Sequence, residues 1–224
     1  MYATPRSRCC STHRATIEQH NDTGDLSITT NIENFLGEGT TTFELLANGR
    51  NVRGDKDSIA ALRSFPIGKQ VVEALQPGGG RGDIDLYLKD PTEPDGIAEM
   101  DLTVRDCTMT YRGFGGEGDR IAFPLPLEGG GGSIRLRGNT VLLENIRAVI
   151  PATAGGGDIT LEGRIDLSRP SGENTSLDIH GESVAFSDDL AAALATLLGD
   201  GGDLYRRLAP SGRAKVHVGV RPMS

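Results

Sequence analysis

Aromatic residues are scarce in this chain: it has no tryptophan, and aromatic residues make up 4% of its 224 positions. Positive charge is also in deficit, because 23 basic residues stand against 31 acidic residues and give a formal net charge of -8. Nucleic-acid binding depends on basic side chains that neutralise phosphates and on aromatic rings that stack on bases. The composition therefore predicts no nucleic-acid partner.

Cysteines and long apolar runs are also lacking. Cys9, Cys10 and Cys107 are too few for a multi-bridge disulfide framework, and a bridge between adjacent cysteines would be strained, so we expect free thiols. No stretch approaches the roughly 18 apolar residues of a spanning helix, and residues 1–23 lack the apolar core of a signal peptide. Because residues 1–23 show no periodicity, they are predicted to be a disordered start or the truncated edge of a longer protein.

No catalytic, cofactor or metal motif is present. The four histidines are dispersed, and neither "GGGRGD" nor "GGGGS" leads into a helix with the lysine that a phosphate-binding loop requires. Acidic residues alternate with apolar ones, which is typical of a solvated strand face. We therefore predict no catalytic residues, no cofactor and no metal site. An enzyme remains open only as a spatial cluster of ionisable groups.

A repeated phrase is the strongest positive signal. "LQPGGGRGDIDLYL" begins at Leu75 and "LAPSGRAKVHVGV" at Leu208, and the surrounding sequence aligns at a separation of 132 to 133 residues. The aligned pairs are Gly49 with Gly181, Val52 with Val184, Asp57 with Asp189, Leu62 with Leu194, Leu75 with Leu208, Pro77 with Pro210, and Gly79 with Gly212. The chain is therefore predicted to contain repeat unit 1 (24–90), a linking strand meander (91–156) and repeat unit 2 (157–224).

Each unit is predicted to run strand, strand, helix pair, strand. Apolar and polar residues alternate along the strands, whereas the segment between the second and third strand has apolar residues at helical spacing. Gly138 and Asn139 form a tight-turn pair between two further alternating runs. Glycine clusters such as Gly129 to Gly132 are predicted to be loops. With about ten to twelve short strands, the predicted fold class is α+β, mostly β: a long curved antiparallel sheet, an open groove or half-barrel, with short helices and two repeats of about 65 residues.

The apolar face of such a sheet must be covered, because each large apolar side chain gains roughly 1.5 to 3 kcal/mol from burial. Two interpretations remain open: an ordinary core under the helices, or a surface that holds an apolar guest. The candidate lipid-binding residues are those that alternate on the apolar side of the strands: Ile84, Leu86, Leu88, Met100, Leu102, Val104, Ile134, Leu136, Ile159, Leu161, Ile165 and Leu167.

Several strand phrases resemble those of a known family. Phe123, Pro124 and Leu127 are followed by an alternating run from Ser133 to Val141, then by "LENI", which includes Asn145, and by "DITLEGRI" from Asp158. This order, together with "LAPSGR" after a helix, resembles the AsmA-like superfamily, the AsmA/TamB/YhdP-type envelope proteins, over about residues 24 to 221. The motifs are structural rather than catalytic, so we regard the chain as resembling a fragment or short member.

The resemblance implies a taco-shaped sheet whose apolar groove carries phospholipid or another acyl-chain lipid toward the outer membrane. It also implies the periplasm or cell envelope of a Gram-negative-type bacterium, a membrane tether in the full-length protein, and an inner-membrane anchor or envelope proteins as partners. The expected function is thus a non-enzymatic segment for phospholipid transport or outer-membrane biogenesis. The alternative is a structural or adhesive β-repeat module of a cell-surface protein without a lipid guest; "RGD" at 81–83 is its one adhesive motif.

Overall fold

All the strands lie in one antiparallel sheet whose spatial order is the chain order. The computed structural model describes residues 12–21, 24–33, 41–64, 66–90, 93, 96–112, 123–169, 173–198, 205 and 207–221. The ten strands are β1 (Thr12–Asn21), β2 (Gly24–Glu33), β3 (Thr42–Arg53), β4 (Arg81–Lys89), β5 (Ile97–Tyr111), β6 (Phe123–Arg137), β7 (Thr140–Ile150), β8 (Gly157–Asp166), β9 (Thr175–Ala185) and β10 (Arg213–Val220). The sheet is open rather than closed on itself, which confirms the predicted fold class.

Three α-helices of eight or more residues lie between strands at the same end of the sheet, and in the described residues Tyr205, Arg207 and Leu208 before β10 are helical as well. The three helices are α1 (Lys56–Arg63) and α2 (Pro66–Leu75), which connect β3 to β4, and α3 (Asp188–Leu198), which connects β9 to β10. A 3-10 turn at Ala152–Ala154 joins β7 to β8 at that end as well. We call this end of the sheet the helix end. At the other end, Gly138 and Asn139 make the predicted two-residue turn between β6 and β7.

The two faces of the sheet differ in polarity. Inward and outward positions alternate along each strand, as the period of a β-strand requires. On one face lie the side chains that are almost completely buried, and we call it the apolar face: Leu136, Val141, Ile165, Leu177 and Val184 are at most 2% exposed. The other face carries the charged residues and a few exposed apolar ones, including Leu46 at 40% exposure.

Helix α3 covers the apolar face by crossing from β9 back to β6. Its first turn is fixed by Ser187, whose hydroxyl accepts a hydrogen bond from the Leu190 N–H at 3.2 Å and donates one to the Ala154 carbonyl at 2.9 Å. Leu190 and Ala193 are 2% and 0% exposed. The C-terminal half of the apolar face is consequently a closed core.

Equivalent contacts recur in the two repeat units. Gln76 and Ala209 both have positive φ (39° and 43°) and donate backbone hydrogen bonds to Val72 and Tyr205, four residues earlier. The proline after each then leads the chain into β4 or β10. The repeated phrase therefore ends a helix in the left-handed conformation and starts the strand behind it.

A row of β-bulges crosses the sheet close to the helix end. On each of β3, β5, β7 and β9, one residue has a left-handed backbone, with φ between 51° and 54°, and the next residue returns to the apolar face: Asn51, Asp106, Asn145 and Ser183. Each bulge lies against a glycine of positive φ on the preceding strand or at its start: Gly24, Gly80, Gly132 and Gly157. Because bulges bend and twist strands, a row of four curves the whole sheet along one line.

Two parts of the sheet differ from the sequence-based expectation. Residues 12–21 form β1 and pair with β2 along its whole length, so the expected disorder does not extend to them. This edge strand has no apolar alternation because its side chains are exposed. The glycine run Gly129–Gly132 lies inside β6 rather than in a loop, since it faces the irregular pairings with β5 and β7.

We expect Leu136→Ala to lower the free energy of unfolding by about 2 to 5 kcal/mol, because Leu136 is 1% exposed and its truncation leaves a cavity. The same truncation at Leu46, on the polar face, should change it by no more than about 0.5 kcal/mol. Urea titrations of both variants measure the difference. Equal effects would contradict the assignment of the two faces.

The glycine and bulge pairs give a second expectation. A Cβ on Gly132 would lie 2.7 to 2.8 Å from atoms of Asn145 and Ile146, whereas a Cβ on Gly212 would have no atom within 4 Å, and both residues have positive φ. Gly132→Ala should therefore destabilise the protein by at least about 1 kcal/mol more than Gly212→Ala. Thermal unfolding measures the stability of both variants. A larger loss of stability in Gly212→Ala than in Gly132→Ala would contradict the packing of Gly132 against the bulge.

Candidate apolar groove

An apolar groove lies between the sheet and the helix pair of the first repeat unit. Helix α2 packs on β5, and its Val72 and Ala74 are each 1% exposed. Helix α1 packs on α2 rather than on the sheet and has no buried residue. Its N-terminus is held by Asp55, whose carboxylate accepts a hydrogen bond from the Ser58 N–H at 2.9 Å. Because α1 stands away from the sheet, the surface of β2 to β5 beneath it is left uncovered.

The groove encloses about 230 Å³. Its walls are almost entirely aliphatic, and they come from β2 to β6 on one side and from α1, α2 and the loop after α2 on the other. The residues that line it are Leu26, Ile28, Leu45, Ala47, Val52, Arg53, Gly54, Ser58, Ile59, Ala61, Leu62, Val71, Val72, Leu75, Pro77, Gly79, Arg81, Gly82, Ile84, Leu86, Leu102, Val104, Cys107, Met109 and Ile134.

Five of the twelve sequence-predicted lipid-binding residues line this groove: Ile84, Leu86, Leu102, Val104 and Ile134. Five others are buried in the core at 0 to 6% exposure: Leu88, Met100, Leu136, Ile159 and Ile165. The remaining two, Leu161 and Leu167, are half-buried against the core but outside the groove. The structure thus brings together five candidates from β4, β5 and β6 in the groove. The candidates on β8 and in the turn after it lie elsewhere.

Sequence reasoning missed the lining that β2, β3 and the helices supply. Leu26 and Ile28 alternate on β2, and Leu45 and Ala47 alternate on β3, so their periodicity could have identified the face. Ile59 and Leu62 formed a predicted helical stripe, but a stripe does not reveal that its helix stands off the sheet. Which apolar residues face empty space is a tertiary property that periodicity does not contain.

Charged groups meet at the helix end of the groove. Arg53 and Arg81 are register partners on β3 and β4, and they are the charged residues among those that line it. The Arg81 guanidinium donates a hydrogen bond to the Asn51 carbonyl at 3.1 Å. By the alternation of β4, Arg81 shares the polar face with Asp83 and Asp85, so the charged groups lie at the border of the groove rather than within its apolar lining.

The polar face is neutralised by ion pairs between strands. The Arg105 guanidinium donates two hydrogen bonds to Asp83, at 2.9 and 3.0 Å, and the Asn51 N–H donates a third at 2.7 Å. These bonds hold the pKa of Asp83 at about 2, below its ordinary value of 3.8. Both charged side chains of "RGD" thus lie on a strand and bond to the neighbouring strands, Arg81 to β3 and Asp83 to β3 and β5. This arrangement does not favour an adhesive loop. A shallow cleft on this face contains Asp101, whose carboxylate contacts Arg137 at 2.6 Å.

Histidine and cysteine do not converge on a metal or catalytic site. The His180 and His217 rings stack across β9 and β10 with centroids 4.2 Å apart, and both side chains are exposed. Within the described part of the chain there is no group of three or more metal-ligating side chains. Cys107 is buried, which raises the pKa of its thiol, so it is an apolar wall residue rather than a nucleophile. Cys9 and Cys10 lie outside the described residues.

The geometry defines an open antiparallel sheet with an apolar groove under a helix pair. Comparisons of the chain with protein-family models, with curated proteins and with solved structures return no match. Among the described residues, none of the helices has both the length and the apolar character needed to cross a membrane.

Asp83→Asn should remove part of the pH dependence of stability. The folded-state pKa of Asp83 is depressed, so its contribution is present above pH 3.8 and is lost as the pH falls through about 2. Because the side chains of Asp83 and Arg105 are 33% and 45% exposed, we expect the variant to lose less than about 1 kcal/mol at neutral pH. Urea titrations from pH 7 to pH 2 should show the variant and the wild type converging; a constant difference would contradict this.

Proposed function

We propose that the groove binds the acyl chain of a lipid and that the protein is a non-enzymatic lipid-binding segment. The observation that carries this proposal is the groove itself: an apolar surface over β2 to β5 that the chain's own helices roof but do not fill. Its volume of about 230 Å³ exceeds the roughly 150 Å³ of an apolar cavity that accommodates benzene. It is somewhat below the roughly 300 Å³ at which drug-sized ligand sites begin, which suits part of one acyl chain.

Elementary energetics favour such a guest. Each methylene that leaves water for an aliphatic surface gains about 0.8 kcal/mol, so about ten methylenes are needed for a micromolar-range driving force of about 8 kcal/mol before the cost of association. Binding of this kind is passive and needs no catalytic residue.

The resemblance to AsmA-like envelope proteins supports a role in phospholipid transport or outer-membrane biogenesis, in the periplasm or cell envelope. In that role the groove would hold the hydrocarbon while the head group remains in water at the rim. Phospholipid is accordingly the proposed partner, together with an inner-membrane anchor or envelope proteins. The direction of movement would be set by those partners, because passive binding is reversible and has no preferred direction.

We expect Leu86→Asn to weaken binding of a fluorescent fatty acid about tenfold, which corresponds to about 1.4 kcal/mol. Leu86 lies on the groove side of β4, and a polar amide there removes about two methylenes' worth of apolar contact. Leu46→Asn is the matched control, because Leu46 lies on the neighbouring strand β3 but on the polar face. Saturable probe fluorescence measures both affinities.

A filling variant separates occupancy of the groove from loss of its apolar character. Ala61 lies on α1, is exposed, and lines the groove, so Ala61→Phe should occupy part of the space without adding polarity. Loss of probe binding in Ala61→Phe, with the far-UV circular dichroism unchanged, is the expected result. If the wild type binds no probe and yields no phospholipid on extraction, the lipid-binding function is refuted.

A structural β-repeat module without a guest is the second candidate. The closed core under α3 favours it, because Leu190 and Ala193 seal the apolar face where the second repeat unit could have left a groove. Under this candidate the probe would not bind, and Ala61→Phe would raise stability by filling an empty space. The two candidates therefore predict opposite results for probe binding by the wild type.

A further inference from the structure

The outer edge of β10 is equivalent to an edge that is paired elsewhere in the same sheet. β10 aligns with β4 residue by residue at a separation of 132, from Arg81 with Arg213 to Leu88 with Val220. β4 pairs with β3 on one side and with β5 on the other, whereas the strand neighbour of β10 within the described residues is β9. The outer edge of β10 thus corresponds to the edge of β4 that binds β5.

The inner contacts of the two strands match in detail. The Gly80 carbonyl accepts a hydrogen bond from the Gly54 N–H at 3.0 Å, and the Gly212 carbonyl accepts one from Phe186 at 3.1 Å. Arg81 donates to the carbonyl of the bulge residue on β3 at 3.1 Å, and Arg213 donates to that of the bulge residue on β9 at 2.7 Å. The start of β10 is therefore built as the start of β4 is built.

The outer contacts differ at one glycine. Gly24, Gly80, Gly132 and Gly157 each pack against the bulge of the next strand, so that a Cβ would lie within 2.8 Å of it. Gly212 has positive φ like them, at 94°, yet no atom of the described residues lies within 4 Å of its Cβ position. Four of the five equivalent glycines therefore face a bulged strand, and at the fifth the described part of the chain leaves that space open.

We propose that the outer edge of β10 binds an extended strand from another protein, which pairs antiparallel with β10 and places a bulge residue of left-handed backbone against Gly212. Such strand addition uses main-chain hydrogen bonds for affinity and alternating side-chain positions for specificity. The pairing of β4 with β5 gives the register: residues of the incoming strand equivalent to Leu102 and Met100 would lie opposite Val216 and Val218.

The charge at this edge is opposite to that of β4. On β4, Asp83 is held by Arg105 of β5 at 2.9 Å, and the residue equivalent to Asp83 on β10 is Lys215. His217 likewise replaces Asp85. The Lys215 ammonium pairs with Glu182 of β9 at 2.9 Å and remains 81% exposed, so an acidic residue of an incoming strand, where β5 has Arg105, would lie near both Lys215 and Arg213. The strand would also carry apolar residues on the apolar face and Asn, Asp, Ser or Gly at the bulge.

A second copy of this chain fits the edge poorly. Antiparallel pairing of β10 with another β10 would bring basic side chains of the polar face next to one another, which is unfavourable. β1, the other edge strand, pairs with β2 in a regular register and has no residue of positive φ, so it offers no bulge to Gly212. Both features favour a different protein as the source of the strand.

The test uses two peptides with the sequence of residues 97–110 and Cys107→Ser: an acidic peptide that also carries Arg105→Glu, and a basic peptide that retains Arg105. In fluorescence anisotropy the wild-type protein should bind the acidic peptide at least tenfold more tightly than the basic one. Lys215→Glu should reverse this order. The substitution also replaces the exposed Lys215–Glu182 ion pair by two neighbouring carboxylates, so unchanged far-UV circular dichroism is required of the variant. Arg14→Glu, on the opposite edge strand, is the matched control and should leave the order unchanged.

Three results would overturn the proposal: no saturable binding of the acidic peptide, a preference that Lys215→Glu leaves unchanged, or sedimentation of the free protein as a dimer. A third peptide, the acidic one with Asp106→Val, should bind at least fivefold more weakly, because β-branched residues resist a left-handed backbone. Leu86→Asn should bind the acidic peptide as the wild type does. Failure of strand addition is therefore distinguishable from failure of the lipid groove.

Discussion

Burial of a single apolar face governs the architecture of this protein. Within the described residues the ten-strand meander has no second sheet to pack against, so its apolar side chains are covered by the segments that connect the strands. The three helices α1, α2 and α3 lie at one end of the sheet, and two of them, α2 and α3, press onto the face. Where a helix makes that contact, the face is a closed core; where α1 stands off, a groove remains.

The same plan therefore gives different results in the two repeat units. In the second unit, α3 reaches three strands back to β6, and its small residue Ala193 permits close approach. In the first unit the counterpart of α3 is α1, which packs on α2 rather than on the sheet, and α2 packs on β5. Similar sequence patterns thus encode one sealed half and one open half because the equivalent helices α1 and α3 dock differently.

Periodicity predicted the strands, the antiparallel order, the turn at Gly138 and Asn139, and the repeated helix ends, because all of these depend on neighbours in the chain. Periodicity missed β1, because an edge strand exposed to solvent has no apolar alternation to detect. The sequence also predicted a loop at Gly129–Gly132, whereas bulges accommodate these glycines within β6. The "LENI" phrase that suggested a family resemblance contains Asn145, a left-handed bulge residue. That phrase therefore encodes sheet curvature, and lipid contact is not part of what it specifies.

The sequence predicted only part of the candidate site, for a related reason. Alternation identifies the face on which Ile84 and Leu136 both lie, but whether such a residue lines a space or fills the core depends on helix placement several strands away.

The position of the groove limits the mechanism of any transport. It extends over β2 to β5 and reaches β6 only at Ile134, beyond which Leu136, Val141 and Ile165 are buried and α3 covers the face. A hydrocarbon chain in the groove meets close-packed side chains on that side, and moving them aside would cost several buried contacts of roughly 1.5 to 3 kcal/mol each. Within the described residues, a lipid would therefore enter and leave by the same mouth beneath α1. The proposed role becomes reversible capture and exchange of a lipid, and directional movement must depend on what the protein is joined to.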